Sequence, residues 1–288
     1  MTTTPEFRDG DFGHLQLVRA RRGPMLANPL DAYIGHSLIN YGEHCEHQLQ
    51  ELLKWLRPGD FVVDVGANIG TNTIPFAQSV GPEGLVFAFE IQPVLLQTLC
   101  ANAALNGLEN IRPFSIGLHE RPGQARIGRV RYKNGVVNFG GLSLGVLANV
   151  DAQHKETPLV LETLDRLLSH LGQKPRLIKI DVEGLEREVL RGGLETLRRD
   201  RPLLYVENDR LDQSAELVNI IRSAEYELYW HRPEIFNPDN YFGNPDNPHG
   251  ELRNINMLCI PQESSEQRPH LQQITDGRED HPMRNMAR

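Results

Sequence analysis

Leu49, Leu52, Leu53 and Leu56 recur at i, i+3, i+4 and i+7, which predicts a helix with one apolar face. Pro58-Gly59 ends it. The next run, Phe61–Val65, is short and β-branched and reads as a buried strand. From there the two periods alternate. A helix is predicted over 71–80, a strand over 85–90, and a helix opened by Pro93 that carries Leu95, Leu99 and Ala103. A third strand follows over 111–116. Strands over 177–181 and 203–207 flank a helix bearing Leu185, Val189, Leu194 and Leu197. Leu217, Ile220, Ile221 and Ala224 stripe another helix, and 226–231 and 255–260 supply the last two strands. This alternation predicts an α/β fold with a doubly wound, mostly parallel, seven-stranded sheet.

Residues 1–40 show no periodic pattern and are expected to be irregular, so the folded domain is placed at 41–260. Two stretches exceed an ordinary connection. Residues 117–176 form an insertion between the third and fourth strands, with candidate strands over 126–132 and 142–150 around Asn134-Gly135 and a helix near 162–170. Residues 232–253 form a loop rich in Pro and Asn. Both should lie near the carboxyl edge of the sheet, where open α/β folds bind ligands. The polar tail over 261–288 is expected to be mobile or loosely docked.

Composition narrows the function classes. The chain has 288 residues, 30 Lys+Arg against 38 Asp+Glu, and a formal net charge of -8. An acidic chain without a dense basic stripe is a poor ligand for phosphate backbones, so no nucleic-acid partner is expected. The short run Arg19-Ala20-Arg21-Arg22 reads as a solvated segment. No apolar run approaches the roughly 20 residues needed to span a bilayer, and the first residues show neither a basic nor an apolar leader region. Cys45, Cys100 and Cys259 are odd in number and lack metal-ligand spacing. Lone thiols suit a reducing compartment, and a cytoplasmic location is expected.

The strongest local signal is Asp64-Val65-Gly66-Ala67-Asn68-Ile69-Gly70, at the end of the first strand and the start of a helix. Glycines permit a tight turn and close ligand approach beside free helix N–H groups. The plain alternative is a structural turn. Glu90 ends the next strand, where a carboxylate accepts both hydroxyls of a ribose. Dinucleotide sites carry G-x-G-x-x-G, whereas here the middle position is Asn68. The pattern fits a cofactor with a ribose and an amino-acid tail, such as S-adenosylmethionine.

The run Phe61–Gly70 followed by Phe89-Glu90 resembles the cofactor motifs of class I S-adenosylmethionine-dependent methyltransferases, which are Rossmann-like. Ile178–Glu186 with Val189–Gly192, Asn138–Leu144, and Glu162–Asp165 are similar to the hallmarks of the FkbM family. The resemblance covers roughly residues 40–260. It implies that Asp64, Gly66, Asn68 and Gly70 surround the methionine part of the donor, that Glu90 holds the ribose, and that Ser115 and Ile116 flank the adenine. It also implies O-methylation of a hydroxyl on a sugar or secondary metabolite.

Asp181 ends the fourth strand and Glu207-Asn208 the fifth. Catechol-type O-methyltransferases look similar here, with an Asp and an Asp-Asn pair that bind magnesium, so Asp181, Glu207 and Asn208 form a candidate Mg²⁺ site. The alternative is that Asp181 and Glu183 only organise the loop while Glu207 contacts substrate. A hydroxyl must also lose a proton. His231 at the end of the sixth strand is a candidate base, with a packing histidine as the alternative, and Asp181 is the competing base without a metal. His44-x-x-His47 reads as a solvated helix face in preference to a zinc site. His119 lies just past the third strand with nothing further to recommend it.

The loop 236–245, with Asn240 and Tyr241, supplies aromatic faces and amides suited to a sugar acceptor, as do Tyr132, Asn138 and Phe139 of the insertion. Other readings are an N-methyltransferase of a small molecule, an NAD-dependent oxidoreductase, which Asn68 argues against, and a cofactor-binding protein without turnover. The first helix and the insertion offer apolar surfaces for a homodimer.

Overall fold

The computed structural model describes residues 14–128, 156–267 and 269–285. Its centre is a sheet of seven core strands. These are β3 (Phe61–Val65), β4 (Leu85–Phe89), β5 (Ile111–Phe114), β9 (Pro175–Ile180), β10 (Leu203–Glu207), β11 (Tyr226–His231) and β12 (Asn256–Pro261). They lie in the order β11-β12-β10-β9-β3-β4-β5. β12 runs antiparallel between β10 and β11, while β10, β9, β3, β4 and β5 are parallel. The doubly wound Rossmann-like arrangement is therefore present.

Both faces of the sheet are covered, as all-parallel centres require. Successive residues on β3 point to opposite sides. Val62 joins one core with Leu177, Tyr205 and Leu258. Val63 joins the other with Ile178, Val206 and Met257. α2 (Glu46–Leu53), α3 (Thr73–Val80) and α4 (Pro93–Leu105) pack against the first side. Against the second pack α5 (Leu164–Leu168), α6 (Glu186–Arg191), α7 (Leu194–Asp200) and α8 (Leu211–Arg222). Among the described residues no helix is long and apolar enough to cross a membrane.

Four local expectations need correction. The segment before residue 40 is ordered: β1 (Gln16–Ala20) and β2 (Gly23–Ala27) form an antiparallel hairpin, and α1 (Ile34–Tyr41) follows. The arginines of that hairpin are paired rather than simply solvated, Arg21 with Glu43 and Arg22 with Glu46. The single helix expected after β9 is two, because Gly192-Gly193 breaks it. A Cβ on Gly192 would stand 2.1 Å from the His119 carbonyl oxygen, so this close approach requires glycine. Finally, the tail is docked. β13 (Gln272–Gln273) adds an eighth strand beside β11, Ile274 is buried, and Ser214 Oγ donates to the Gly277 carbonyl.

The insertion carries its own small sheet, β6 (Ile116–Leu118), β8 (Glu156–Glu162) and β7 (Gly123–Gly128), in the order β6-β8-β7. β7 overlaps the start of the candidate strand at 126–132. Tyr132, Asn138 and Phe139, and the candidate strand at 142–150, lie outside the described residues. The Glu162–Asp165 motif serves folding. Thr163 caps α5, and the Asp165 carboxylate accepts from the backbone N–H groups of Glu195 and Thr196, capping α7.

Candidate active site

Strand parity assembles the site. Asp64 lies beside Lys179 in register, and Lys179 beside Tyr205. Two residues on along each strand direction are Gly66, Asp181 and Glu207, and Asn256 of β12 stands opposite Glu207. Hence the carboxyl ends of β3, β9 and β10 deliver polar groups to one side of the sheet. A cavity of about 440 Å³ opens there, lined among others by Gly66, Asn68, Glu90, Ile116, Asp181 and Glu207.

At one end is the glycine turn. Gly66 has φ 79° and Asn68 φ 51°, left-handed values that glycine and asparagine tolerate best. A Cβ on Gly66 would lie 1.8 Å from the Asp181 carbonyl oxygen, so only glycine lets the ends of β3 and β9 approach. Glu90 is buried. Its Oε2 accepts from the Asn68 N–H at 2.9 Å and its Oε1 from the Gln92 N–H at 2.8 Å. Burial raises its pKa to about 7 against the lowering effect of those N–H groups.

Not every residue of the motif reaches the cavity. Asp64 is fully buried behind it, accepting from Thr73 Oγ1 at 2.6 Å and standing 3.4 Å from Lys179 Nζ. Its role is to fix α3 to β3 and β9. Gly70 closes the turn through its N–H to the Ala67 carbonyl, at φ 93°. Ser115 is exposed and does not line the cavity, whereas Ile116 and Gly117 do.

At the other end three carboxylates converge. Asp181, Glu183 and Glu207 each bring one oxygen within 4.8 Å of the others. Glu207 Oε2 is buried with no partner among the described residues, and burial followed by the charge of Asp181 holds the Glu207 pKa well above the carboxylate range. Burial and Asp181 likewise raise Glu183 to about 7. Glu186 Oε1 accepts the N–H groups of Val182 and Gly184 and so holds the loop itself, while Glu183 Oε2 accepts from Arg210 at 3.2 Å.

The expected ligand set therefore changes by one member. Asn208 is buried away from the cavity, its amide donating to Ser214 Oγ and Met257 Sδ, and Glu183 stands in its place. His231 also does not line the cavity. Its Nδ1 pairs with Tyr205 OH at 2.7 Å, and burial lowers its pKa. That position corresponds to a packing histidine.

Asn240 and Tyr241 lie elsewhere. Asn240 is buried and builds its own loop through the carbonyls of Asn237 and Asn244. Tyr241 is exposed, with its backbone N–H donating to Glu43 Oε2. The ends of the 232–253 loop line the cavity instead, through Arg232, Ile235, Glu251, Leu252 and Arg253.

Sequence reasoning missed a further wall. His44, assigned to a solvated face, lines the cavity, and burial lowers its pKa to about 4 despite the opposing charge of Asp181. Gln48, Asn254 and Asn256 line it too, as does Met283 from the tail. His44 precedes α2 in a turn where Cys45 has φ 48°, so no helical periodicity reveals its direction.

A model of the methyltransferase FkbM domain matches residues 64–228. Methyltransferase 1 of Beauveria bassiana (strain ARSEF 2860) is 30% identical over 146 residues, covering 46% of this chain and 57% of that protein. The 2-O-methyltransferase NoeI of Sinorhizobium fredii (strain NBRC 101917 / NGR234) is 28% identical over 169 residues, 56% of this chain and 67% of that protein. Among solved structures, the methyltransferase FkbM from Methylobacillus flagellatus KT is similar at 18% identity and a TM-score of 0.45, covering 69% of this chain and 43% of that one. The match thus spans little more than half of the Beauveria bassiana relative.

Proposed function

The chain belongs to the FkbM methyltransferase family, and we propose that it is an S-adenosylmethionine-dependent O-methyltransferase acting on a hydroxyl of a sugar or small natural product, with Mg²⁺ at its carboxylate cluster. The observation that carries this reading is one cavity lined both by Gly66 and Glu90 and by Asp181, Glu183 and Glu207. The glycine turn that excludes a Cβ and the Glu90 carboxylate suit the donor. The name of the 2-O-methyltransferase relative supports an oxygen acceptor.

When bound, S-adenosylmethionine supplies an electrophilic methyl group on a cationic sulfur. Glu90 accepts the ribose hydroxyls, with its orientation fixed by the N–H groups of Asn68 and Gln92. The carboxyl edge of β9 brings Asp181 to the acceptor side, which fixes the line of approach on which a displacement depends. Without a metal, Asp181 is the group that takes the proton the acceptor hydroxyl gives up. Lys179 Nζ stands 3.4 Å from Asp181 Oδ2 and helps hold that carboxylate at the strand end.

The three carboxylates offer hard oxygen donors, and the unpartnered Glu207 Oε2 suits a cation. Asp181, Glu183 and Glu207 would hold Mg²⁺, which lowers a hydroxyl pKa. The same carboxylates also favour a second reading, N-methylation of a small-molecule amine that first gives up its proton to one of them and then attacks as the neutral amine.

Isothermal titration calorimetry with S-adenosylmethionine and with NAD, each with and without Mg²⁺, tests the donor. Micromolar binding of S-adenosylmethionine is expected, lost in Gly66→Val. Binding of NAD in its place overturns the proposal.

A further inference from the structure

Three amides form a built cluster in the acceptor wall. Gln48 Oε1 accepts from Asn254 Nδ2 and from Asn256 Nδ2, each at 3.2 Å, and Asn254 Nδ2 also lies 3.2 Å from Cys45 Sγ. Gln48 and Asn256 are 4% exposed, yet all three residues line the cavity. Their mutual bonds use one atom of each amide. Gln48 Nε2, Asn254 Oδ1 and Asn256 Oδ1 have no protein partner among the described residues. These atoms are accessible from the cavity rather than sealed in the interior, and groups held in place by each other are pre-organised for a ligand.

The cluster adjoins the chemistry. Asn256 is the register partner of Glu207, and directly opposed antiparallel residues have Cβ atoms about 4.5–5.5 Å apart. The amides therefore continue the carboxylate group along the cavity, with His44 beside Cys45. None of them lies in the matched segment 64–228.

We propose that Gln48, Asn254 and Asn256 form the subsite that reads the non-reacting hydroxyls of a neutral, ring-shaped polyol, while the reacting hydroxyl lies at Asp181. One donor and two acceptors match hydroxyls, each of which both donates and accepts. No ionic group stands in the triad to attract a charged substituent. This inference rests on the methyltransferase reading.

The test uses the protein saturated with S-adenosylhomocysteine and a panel of methyl hexosides, glucosamine and catechol, with binding read by saturation-transfer NMR. At least one methyl hexoside is expected to bind, and to bind about tenfold or more weakly in Gln48→Met and in Asn254→Ala. Calorimetric affinity for S-adenosylhomocysteine should stay within about twofold in both variants, which shows that they fold. Hexoside binding that neither variant weakens overturns the subsite, as does the absence of any hexoside binding to a protein that binds S-adenosylhomocysteine. Preference for glucosamine, lost in Glu207→Gln and retained in Gln48→Met, overturns it in favour of the carboxylates. Failure of the wild-type protein to bind S-adenosylhomocysteine or S-adenosylmethionine overturns the methyltransferase reading itself.

Discussion

Lys179 Nζ stands 3.4 Å from Asp181 Oδ2 on a residue that is 1% exposed. It also lies 3.4 Å from Asp64 Oδ1, so one buried ammonium joins the aspartate behind the glycine turn to the carboxylate cluster. Burial pushes the Lys179 pKa down, but Asp181 and Asp64 outweigh it and the net shift is upward. Lys179→Met keeps the chain length and leaves Asp64 buried without its cation. Breaking such a pair costs about 3–5 kcal/mol, and a fall of that size is expected in denaturant-induced unfolding.

Donor binding is predicted to depend on pH through Glu90. Its carboxyl is raised by burial to about 7, and ribose hydroxyls favour the anion. Binding therefore releases a proton, and affinity should rise by about tenfold between pH 6 and pH 8 and then level off. Glu90→Gln should flatten that profile in calorimetry. For folding the sign is the opposite: the folded state holds more protons than the unfolded one between the ordinary glutamate value of 4.5 and about 7. Stability falls as pH rises through that window.

The carboxylate cluster predicts a metal dependence that can be separated from donor binding. Manganese should bind at this site as a spectroscopic substitute for magnesium, read by electron paramagnetic resonance. Asp181→Asn is expected to weaken it by about tenfold or more. Methyl transfer unchanged after exhaustive EDTA treatment would remove the metal from the reading.

The tail predicts a stability effect. His281 is 2% exposed, and its Nε2 lies 2.9 Å from the carbonyl oxygen of Asn208, beside the edge of Trp230. His281→Ala leaves a buried carbonyl short of its partner, a loss of about 1–3 kcal/mol. A lower thermal unfolding midpoint checks it, at roughly 2–4 °C per kcal/mol.

The sheet was legible because strands buried on both faces are unmistakable runs of Val, Ile, Leu and Phe, as in β3 and β9. The glycine turn and the acidic strand ends were legible as well, since topology alone places them at the carboxyl edge. What escaped reading depended on the direction of single side chains outside regular elements. Asp64 lies two residues short of Gly66 at the strand end and Asn208 just past Glu207, and pairing with Thr73 and Ser214 keeps both out of the cavity. Asn240 and Tyr241 sit in a suitable loop whose centre folds back on Glu43. The hairpin and docked tail carry too few apolar residues for periodicity to detect, and long-range hydrogen bonds hold them.

The wall opposite the glycine turn is made by chain that precedes and follows the matched segment: His44 and Gln48 on one side, Asn254, Asn256 and Met283 on the other. The matched segment and its flanks thus build different parts of one cavity. Substitution or exchange of the flanks can reshape that cavity while the glycine turn and the carboxylates pass unchanged from ancestor to descendant.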